Sequence, residues 1–145
     1  MKKTLSTVLF FSSLISNLFA SPDNGIWKQY IYTDGISSNY IFDVEKDNKG
    51  RVWIGTQNGV TLIEGKLIQK FGSSKGLPAA NIIKIISAND KIYAATSTKG
   101  IFVLGPDGNF NKTNIVKGSS LSTMEKVGDR LFVSTNLENI LYDGE

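Results

Sequence analysis

The sequence of 145 residues contains neither cysteine nor histidine. Without cysteine there is no disulfide, no thiolate nucleophile, no Cys-ligated metal and no cysteine for a lipoprotein anchor. Without histidine, the side chain that titrates near neutral pH is missing, and with it the usual general base and the commonest metal ligand. A hydrolase triad and a zinc site both lose the residues they are usually built on. An excess of charge is lacking too. The formal net charge is +3, and two of the sixteen basic residues are Lys2 and Lys3. Beyond the first twenty residues Lys and Arg nearly balance Asp and Glu, with no basic stripe. Binding to a phosphate backbone needs such a stripe, so nucleic acid is not an expected partner.

One hydrophobic run is present, and it is short. Lys2 and Lys3 precede an apolar stretch from Leu5 to Phe19, interrupted by Ser12, Ser13, Ser16 and Asn17 and followed by Ala20-Ser21-Pro22-Asp23. A membrane-spanning helix needs about 20 apolar residues. A basic start, a short apolar run and a small residue at its end are the pattern of a secretory signal peptide. Residues 1–20 therefore read as an export signal and residues 21–145 as the mature chain, in the periplasm or another extracytoplasmic space. Leu18 is bulky for its place before the cut, and an uncleaved membrane anchor is the alternative.

The mature chain repeats itself. Arg51-Val52-Trp53-Ile54-Gly55-Thr56 is echoed by Lys91-Ile92-Tyr93-Ala94-Ala95-Thr96 and by Arg130-Leu131-Phe132-Val133-Ser134-Thr135. The aromatic residues lie about forty residues apart, a period typical of repeat folds. Turn residues precede each copy: Asp47-Asn48-Lys49-Gly50, Asn89-Asp90 and Gly128-Asp129. After each Thr, a polar step leads to Gly59-Val60, Gly100-Ile101 and Asn139-Ile140. Further turns follow at Glu64-Gly65-Lys66, Pro106-Asp107-Gly108 and Asp143-Gly144-Glu145. Linkers run through Asp34-Gly35-Ile36-Ser37-Ser38-Asn39 and Lys75-Gly76-Leu77-Pro78-Ala79-Ala80-Asn81, with a degenerate third copy around Gly118-Ser119-Ser120-Leu121.

Four short strands fit each period. In the first unit they fall at Tyr40–Lys46, Arg51–Thr56, Val60–Glu64 and Leu67–Phe71. Tyr40, Phe42 and Val44 alternate with Asp43 and Glu45, the period-two pattern of a half-buried strand. Asn and Gly between strands supply the positive torsions of tight hairpins. Outside the signal, no segment carries a helical apolar stripe. The expected fold is all-β, made of β-propeller blades: about three four-stranded antiparallel repeats, roughly residues 27–71, 72–115 and 116–145.

Placed identically in the repeat, Trp53, Tyr93 and Phe132 read as packing between blades rather than as a sugar platform. The threonines Thr56, Thr96 and Thr135 read as satisfying backbone groups at strand ends. Asp43, Glu45, Asp47 and Asn48 fail the EF-hand spacing, and a hairpin turn at Asp47-Asn48-Lys49-Gly50 accounts for the last two, so no metal or other cofactor is expected. No pair of carboxylates stands apart from the repeat turns, and no catalytic residue is assigned. Strand alternation places the linkers and the post-Thr turns at one end of the blades. Recognition residues usually sit on loops held by a rigid scaffold. The ligand-facing candidates are accordingly Ser37, Ser38, Asn39, Gln57, Asn58, Ser97, Thr98 and Lys99, with ordinary solvated loop as the competing reading.

Asp34-Gly35-Ile36-Ser37-Ser38-Asn39, then Asp47-Asn48-Lys49-Gly50-Arg51-Val52-Trp53-Ile54-Gly55-Thr56 and Gly59-Val60, resemble the two-component regulator propeller repeat. The second copy keeps the resemblance with Tyr93-Ala94-Ala95-Thr96, and the third weakly. The resemblance implies the periplasmic sensor region of a bacterial receptor whose output is a histidine kinase or a diguanylate cyclase. It further implies a small-molecule or glycan ligand and no enzymatic activity in this region. The competing functions are a structural or interaction propeller of an envelope secretion or adhesion system, and a lyase on the same fold. Closed propellers begin at about four blades. The expectation is therefore an incomplete propeller, with Trp27–Tyr32 as the last strand of another blade. Any membrane link would come through downstream segments, and the open edges predict self-association.

Overall fold

The structure, a computed structural model, describes residues 28–117 and 120–144. The signal segment 1–20, Trp27, Gly118, Ser119 and Glu145 lie outside the described residues. The first sheet comprises β1 (Ile41–Lys46), β2 (Val52–Thr56), β3 (Gly59–Glu64) and β4 (Leu67–Phe71). The second comprises β5 (Ile82–Ala88), β6 (Lys91–Thr96), β7 (Gly100–Leu104) and β8 (Phe110–Lys112). The third comprises β9 (Leu121–Val127), β10 (Arg130–Thr135) and β11 (Asn139–Tyr142). Each sheet is an antiparallel meander in chain order, four-, four- and three-stranded.

Local chemistry sets these hairpins. Asn89 and Asp90 both take positive φ, 51° and 57°, which is the backbone of a two-residue type I′ turn. In the first sheet a single carboxylate organises the turn. Asp47 Oδ1 accepts the backbone N–H of Lys49 (2.9 Å) and of Arg51 (3.0 Å). Its Oδ2 accepts from Arg51 Nε (2.7 Å) and from the Trp53 indole (2.8 Å). The hairpin is thereby tied to the residue that fills the core next to it.

The sheets stack face to face, and two apolar layers fill the gaps. Trp53, Val60, Leu62 and Phe71 on the front of the first sheet meet Ile85, Ile92, Ala94 and Phe102 on the rear of the second. The front of the second sheet, with Ile86, Tyr93, Ala95 and Ile101, meets Met124, Leu131 and Val133 on the rear of the third. Gly55 permits the first approach. A Cβ there would lie 2.8 Å from the carbonyl oxygen of Ile82, across the gap. Gly76 (φ +84°) does the same between linker and blade, since a Cβ there would lie 2.0 Å from the carbonyl oxygen of Phe110.

Four expectations are corrected here. Trp53 and Tyr93 are buried at 0% and 2% exposure, whereas Phe132 is 36% exposed. It faces the front of the third sheet, which no described element covers. In β1 the alternation runs opposite to the expected burial: Phe42 and Val44 are exposed, and Asp43 and Glu45 are half-buried against the second sheet. The third repeat also aligns differently. Thr135 Oγ1 donates to the Glu138 carbonyl as Thr56 and Thr96 do to Gly59 and Gly100, so Glu138, not Asn139, occupies the glycine position. Finally, Lys28–Ile31 form no strand, and Tyr32–Asp34 is a short 3-10 turn. The donors a strand would pair are taken by nearby side chains: Ile31 N–H by Asp34 Oδ2 (2.8 Å) and Tyr32 N–H by Asn39 Oδ1 (2.7 Å).

Burial would raise the Asp47 pKa, but the bonds from Trp53, Arg51 and Lys49 outweigh it and hold the carboxyl below its ordinary value. A depressed folded-state pKa stabilises the fold above the unfolded value, about pH 4, and that stability is lost as pH falls through the folded value. Asp47→Asn is expected to cost about 2–4 kcal/mol at neutral pH. Denaturant melts at stepped pH should show the gap between wild type and variant constant above about pH 5 and closing under acid. Gly55→Ala should cost about 1–3 kcal/mol in the same measurement, because the two sheets must separate.

Candidate functional site

The sheet register places the linkers and the post-Thr turns at one end of the stack. Ile41 opens β1 opposite Thr56, and Ile82 opens β5 opposite Thr96. In each turn the threonine hydroxyl closes the loop by donating to a carbonyl and accepting a backbone N–H: Asn58 N–H (3.1 Å), Lys99 N–H (2.9 Å) and, in the third sheet, Leu137 N–H (3.2 Å). Linker and turn are further joined by the backbone. Gln57 N–H donates to Tyr40 O, Leu121 N–H to Ser97 O, and Asn136 N–H to Ser120 O.

The eight candidate residues separate into two groups. Ser37 and Ser38 are buried, at 7% and 6% exposure. Ser37 Oγ donates to the Val60 carbonyl (3.1 Å) and accepts from Thr61 Oγ1 (2.8 Å), while its N–H donates to Thr61 Oγ1 (2.8 Å). Ser38 Oγ accepts the Tyr40 N–H (3.1 Å). The Ser37 hydroxyl pins the linker to the first sheet, and the Ser38 hydroxyl closes the linker on its own backbone, so both are already engaged within the blade. Asn39, Gln57, Asn58, Thr98 and Lys99 are exposed, and Ser97 is half-buried. Asn39 holds the Tyr32 backbone. The side chains of Gln57, Asn58, Thr98 and Lys99 make no hydrogen bond or ion pair among the described residues, and two amides, a hydroxyl and an ammonium are thus presented together at this end.

A concavity lies at the opposite end. An open polar cleft of about 690 Å³ is lined by Glu45, Asn48, Ser87, Asp90, Lys126 and Asp129, among others. Its polar groups are largely committed to joining blades. Asn48 Nδ2 donates to Asp90 Oδ1, and Asn89 Nδ2 donates to the Asp129 carbonyl (2.7 Å). Along the inner strands, Asp43 Oδ2 accepts the Ile85 N–H (2.8 Å) and Glu45 Oε1 accepts the Ser87 N–H (3.0 Å). Lys84 Nζ lies 3.8 Å from Asp43 and 3.2 Å from Glu125, so one ammonium spans three sheets. Sequence reasoning assigned no such role to these carboxylates. Their partners are 42 residues away, and only the repeat length could have pointed to them.

Stacked antiparallel meanders of four, four and three strands, with their first strands innermost, define this protein as a run of β-propeller blades. Residues 35–58 match the family described as two component regulator propeller, so the chain carries that repeat. A stretch of 59 residues, 41% of the chain, is 34% identical to Histidine kinase P4 of Formosa agariphila and covers 4% of that protein. Among solved structures, the extracellular domain assigned to the hybrid two component system BT4673 of B. thetaiotaomicron superposes with a TM-score of 0.62 at 16% identity, over 81% of this chain and 17% of the other. The corresponding domain of BT3049 gives 0.54 at 20% identity, over 74% and 14%. At such identities these two structures speak to the fold alone. The chain spans a small part of the length of each relative.

The split between the two groups of candidates is measurable. Ser37→Ala should cost about 1–3 kcal/mol in chemical denaturation, since it strands a buried carbonyl and hydroxyl. Gln57→Ala, Asn58→Ala and Lys99→Ala should each stay within about 0.5 kcal/mol of wild type.

Proposed function

We propose that this chain is an extracytoplasmic ligand-sensing segment of a two-component-type signal-transduction receptor, with no catalytic activity of its own. The observation that carries the reading is the match of residues 35–58 to the two component regulator propeller. The likeness to a histidine kinase, and to extracellular domains of hybrid two component systems, supports it. The export signal read in residues 1–20 agrees with an extracytoplasmic location and, in a diderm cell, with the periplasm.

The chemistry of the blade ends supports a sensor rather than an enzyme. No histidine is available, and among the described residues no group of three or more Asp and Glu could hold a metal ion. Asp47 is fully occupied by donors, and Asp43 and Glu45 accept backbone N–H groups. Each of the three is thus spent at least in part on holding the backbone. The exposed Asn39, Gln57, Asn58, Thr98 and Lys99 offer donors and acceptors suited to a polyhydroxylated ligand such as an oligosaccharide, and the ammonium would favour one bearing carboxylates.

A panel of neutral and uronate-containing oligosaccharides screened by thermal shift tests this. A binder should raise the melting temperature, and Asn58→Ala or Lys99→Ala should abolish the shift while leaving the unliganded melting temperature in place. Products appearing when the same oligosaccharides are incubated with the chain would overturn the non-catalytic reading. A binder whose shift survives both substitutions would move the site elsewhere.

A further inference from the structure

Tyr40 is 72% exposed, and its ring and hydroxyl make no hydrogen bond or ring contact among the described residues. Other tyrosines are occupied. The ammonium groups of Lys28 and Lys70 lie over Tyr30 and Tyr32, 4.5 and 4.6 Å from the ring centres, and Tyr93 is buried. The backbone of Tyr40, by contrast, is held at both polar groups. Its N–H donates to Ser38 Oγ (3.1 Å), and its carbonyl accepts the Gln57 N–H (3.0 Å). A free aromatic ring is thus carried on a fixed backbone, directly beside the turn that presents Gln57 and Asn58.

The fold does not ask for an aromatic at this position. Ile41, Ile82 and Leu121 stand opposite Thr56, Thr96 and Thr135, aliphatic in all three sheets. The residues before them are Tyr40, Asn81 and Ser120. The linker-to-turn bond of Tyr40 recurs at Ser120, whose carbonyl accepts the Asn136 N–H (3.1 Å). Here the backbone role is kept while the side chain changes, the reverse of Trp53 and Tyr93, where the aromatic recurs inside the core. The position also stays open within the stack. Asn81 is half-buried and Ser120 exposed, although a sheet precedes each of them.

We propose that Tyr40 is the stacking platform of an oligosaccharide site at the linker end. A pyranose unit lays its C–H face on the phenol ring, and Gln57 and Asn58 hydrogen-bond to hydroxyls at its rim. The inference rests on the reading of this end as the oligosaccharide-recognising surface and assigns the residue that supplies its apolar contact. Hydrogen bonds at an exposed surface exchange water for ligand with modest net gain. Burying the apolar face of a sugar against an aromatic ring adds the missing driving force, and a tyrosine keeps its polar tip in water.

Isothermal titration of the purified chain with cellotetraose, xylotetraose and tetragalacturonate tests this. At least one of the three should bind. Tyr40→Ala and Tyr40→Leu should each weaken that binding about tenfold, and Tyr40→Phe should stay within about twofold of wild type. Leucine keeps apolar bulk but offers no flat ring. Because the side chain is exposed, all three variants should unfold in denaturant with the wild type. In proton NMR, sugar C–H signals should move upfield on binding to the wild type, since they lie over the ring, and Tyr40→Leu should remove the shift. Wild-type affinity in Tyr40→Ala, or bound sugar without an upfield shift, would overturn the platform and leave the ligand-sensing reading standing. Failure of all three sugars to bind the wild type would overturn the platform and the oligosaccharide reading together.

Discussion

The innermost strand of each sheet has one edge with no neighbouring strand, and backbone N–H groups on such an edge need acceptors. For β5 the preceding sheet supplies them. Asp43 and Glu45 project from β1 and take the N–H groups of Ile85 and Ser87 on β5. The bonds hold the inner edges together, and the apolar layer around Trp53 and Ile85 fills the space further out. Neither would suffice alone. An apolar layer is non-directional and would let one sheet slide on the next, whereas hydrogen bonds fix register with only modest net energy. Gly55 belongs to the same constraint, because bonds of that length bring the backbones of the first and second sheets close together beside Ile82.

Why some of this was legible in the sequence, and some not, follows from that arrangement. The strands of the first sheet lie within about a residue of where turn chemistry places them, since Asp47-Asn48-Lys49-Gly50 and Glu64-Gly65-Lys66 act locally and need no knowledge of the fold. Burial is another matter. A period-two pattern tells which residues share a face, but not which face meets a neighbour. β1 misleads for this reason: its apolar side points away from the second sheet, and its acidic side points to the junction. Phe132 is misjudged for the same reason, because its burial would depend on a sheet that the described residues do not contain. The segment before the first blade fails differently. Asp34 and Asn39 compete for its backbone donors, and such side-chain bonds override a strand pattern of only a few residues.

The third repeat shows how closely backbone chemistry, rather than residue identity, sets the register. Its turn carries Asn136, Leu137 and Glu138 where the first has Gln57, Asn58 and Gly59, and no glycine is present. The threonine nevertheless closes it in the same way, with Thr135 Oγ1 donating to the carbonyl of Glu138 and accepting its N–H. Asn139 then opposes Ser134, and Ile140 and Tyr142 turn to the rear with Leu131 and Val133. Aligning the copies by their apolar residues alone slips the last strand by one position. In a strand, one position is the difference between the two faces.

The two ends of the blades are spent differently, and this bears on where recognition can reside. At the β1–β2, β5–β6 and β9–β10 turns, polar side chains are consumed in holding blades together: Asp47 on its own hairpin and on Trp53, Asn48 on Asp90, Asn89 on the Asp129 backbone. A ligand entering that cleft would compete with the bonds that set the spacing of the sheets. At the other end the structural work is done by the buried Ser37, Thr56, Thr61 and Thr96 and by the backbone. The exposed side chains of Gln57, Asn58, Thr98 and Lys99 can then vary without disturbing the stack. Separating the scaffold from the reading surface in this way is what allows a repeat to keep its fold while changing what it recognises. The polar cleft at the β1–β2, β5–β6 and β9–β10 turns is thus bound up with the stacking of the sheets, whereas the linker end carries side chains with no structural bond to keep.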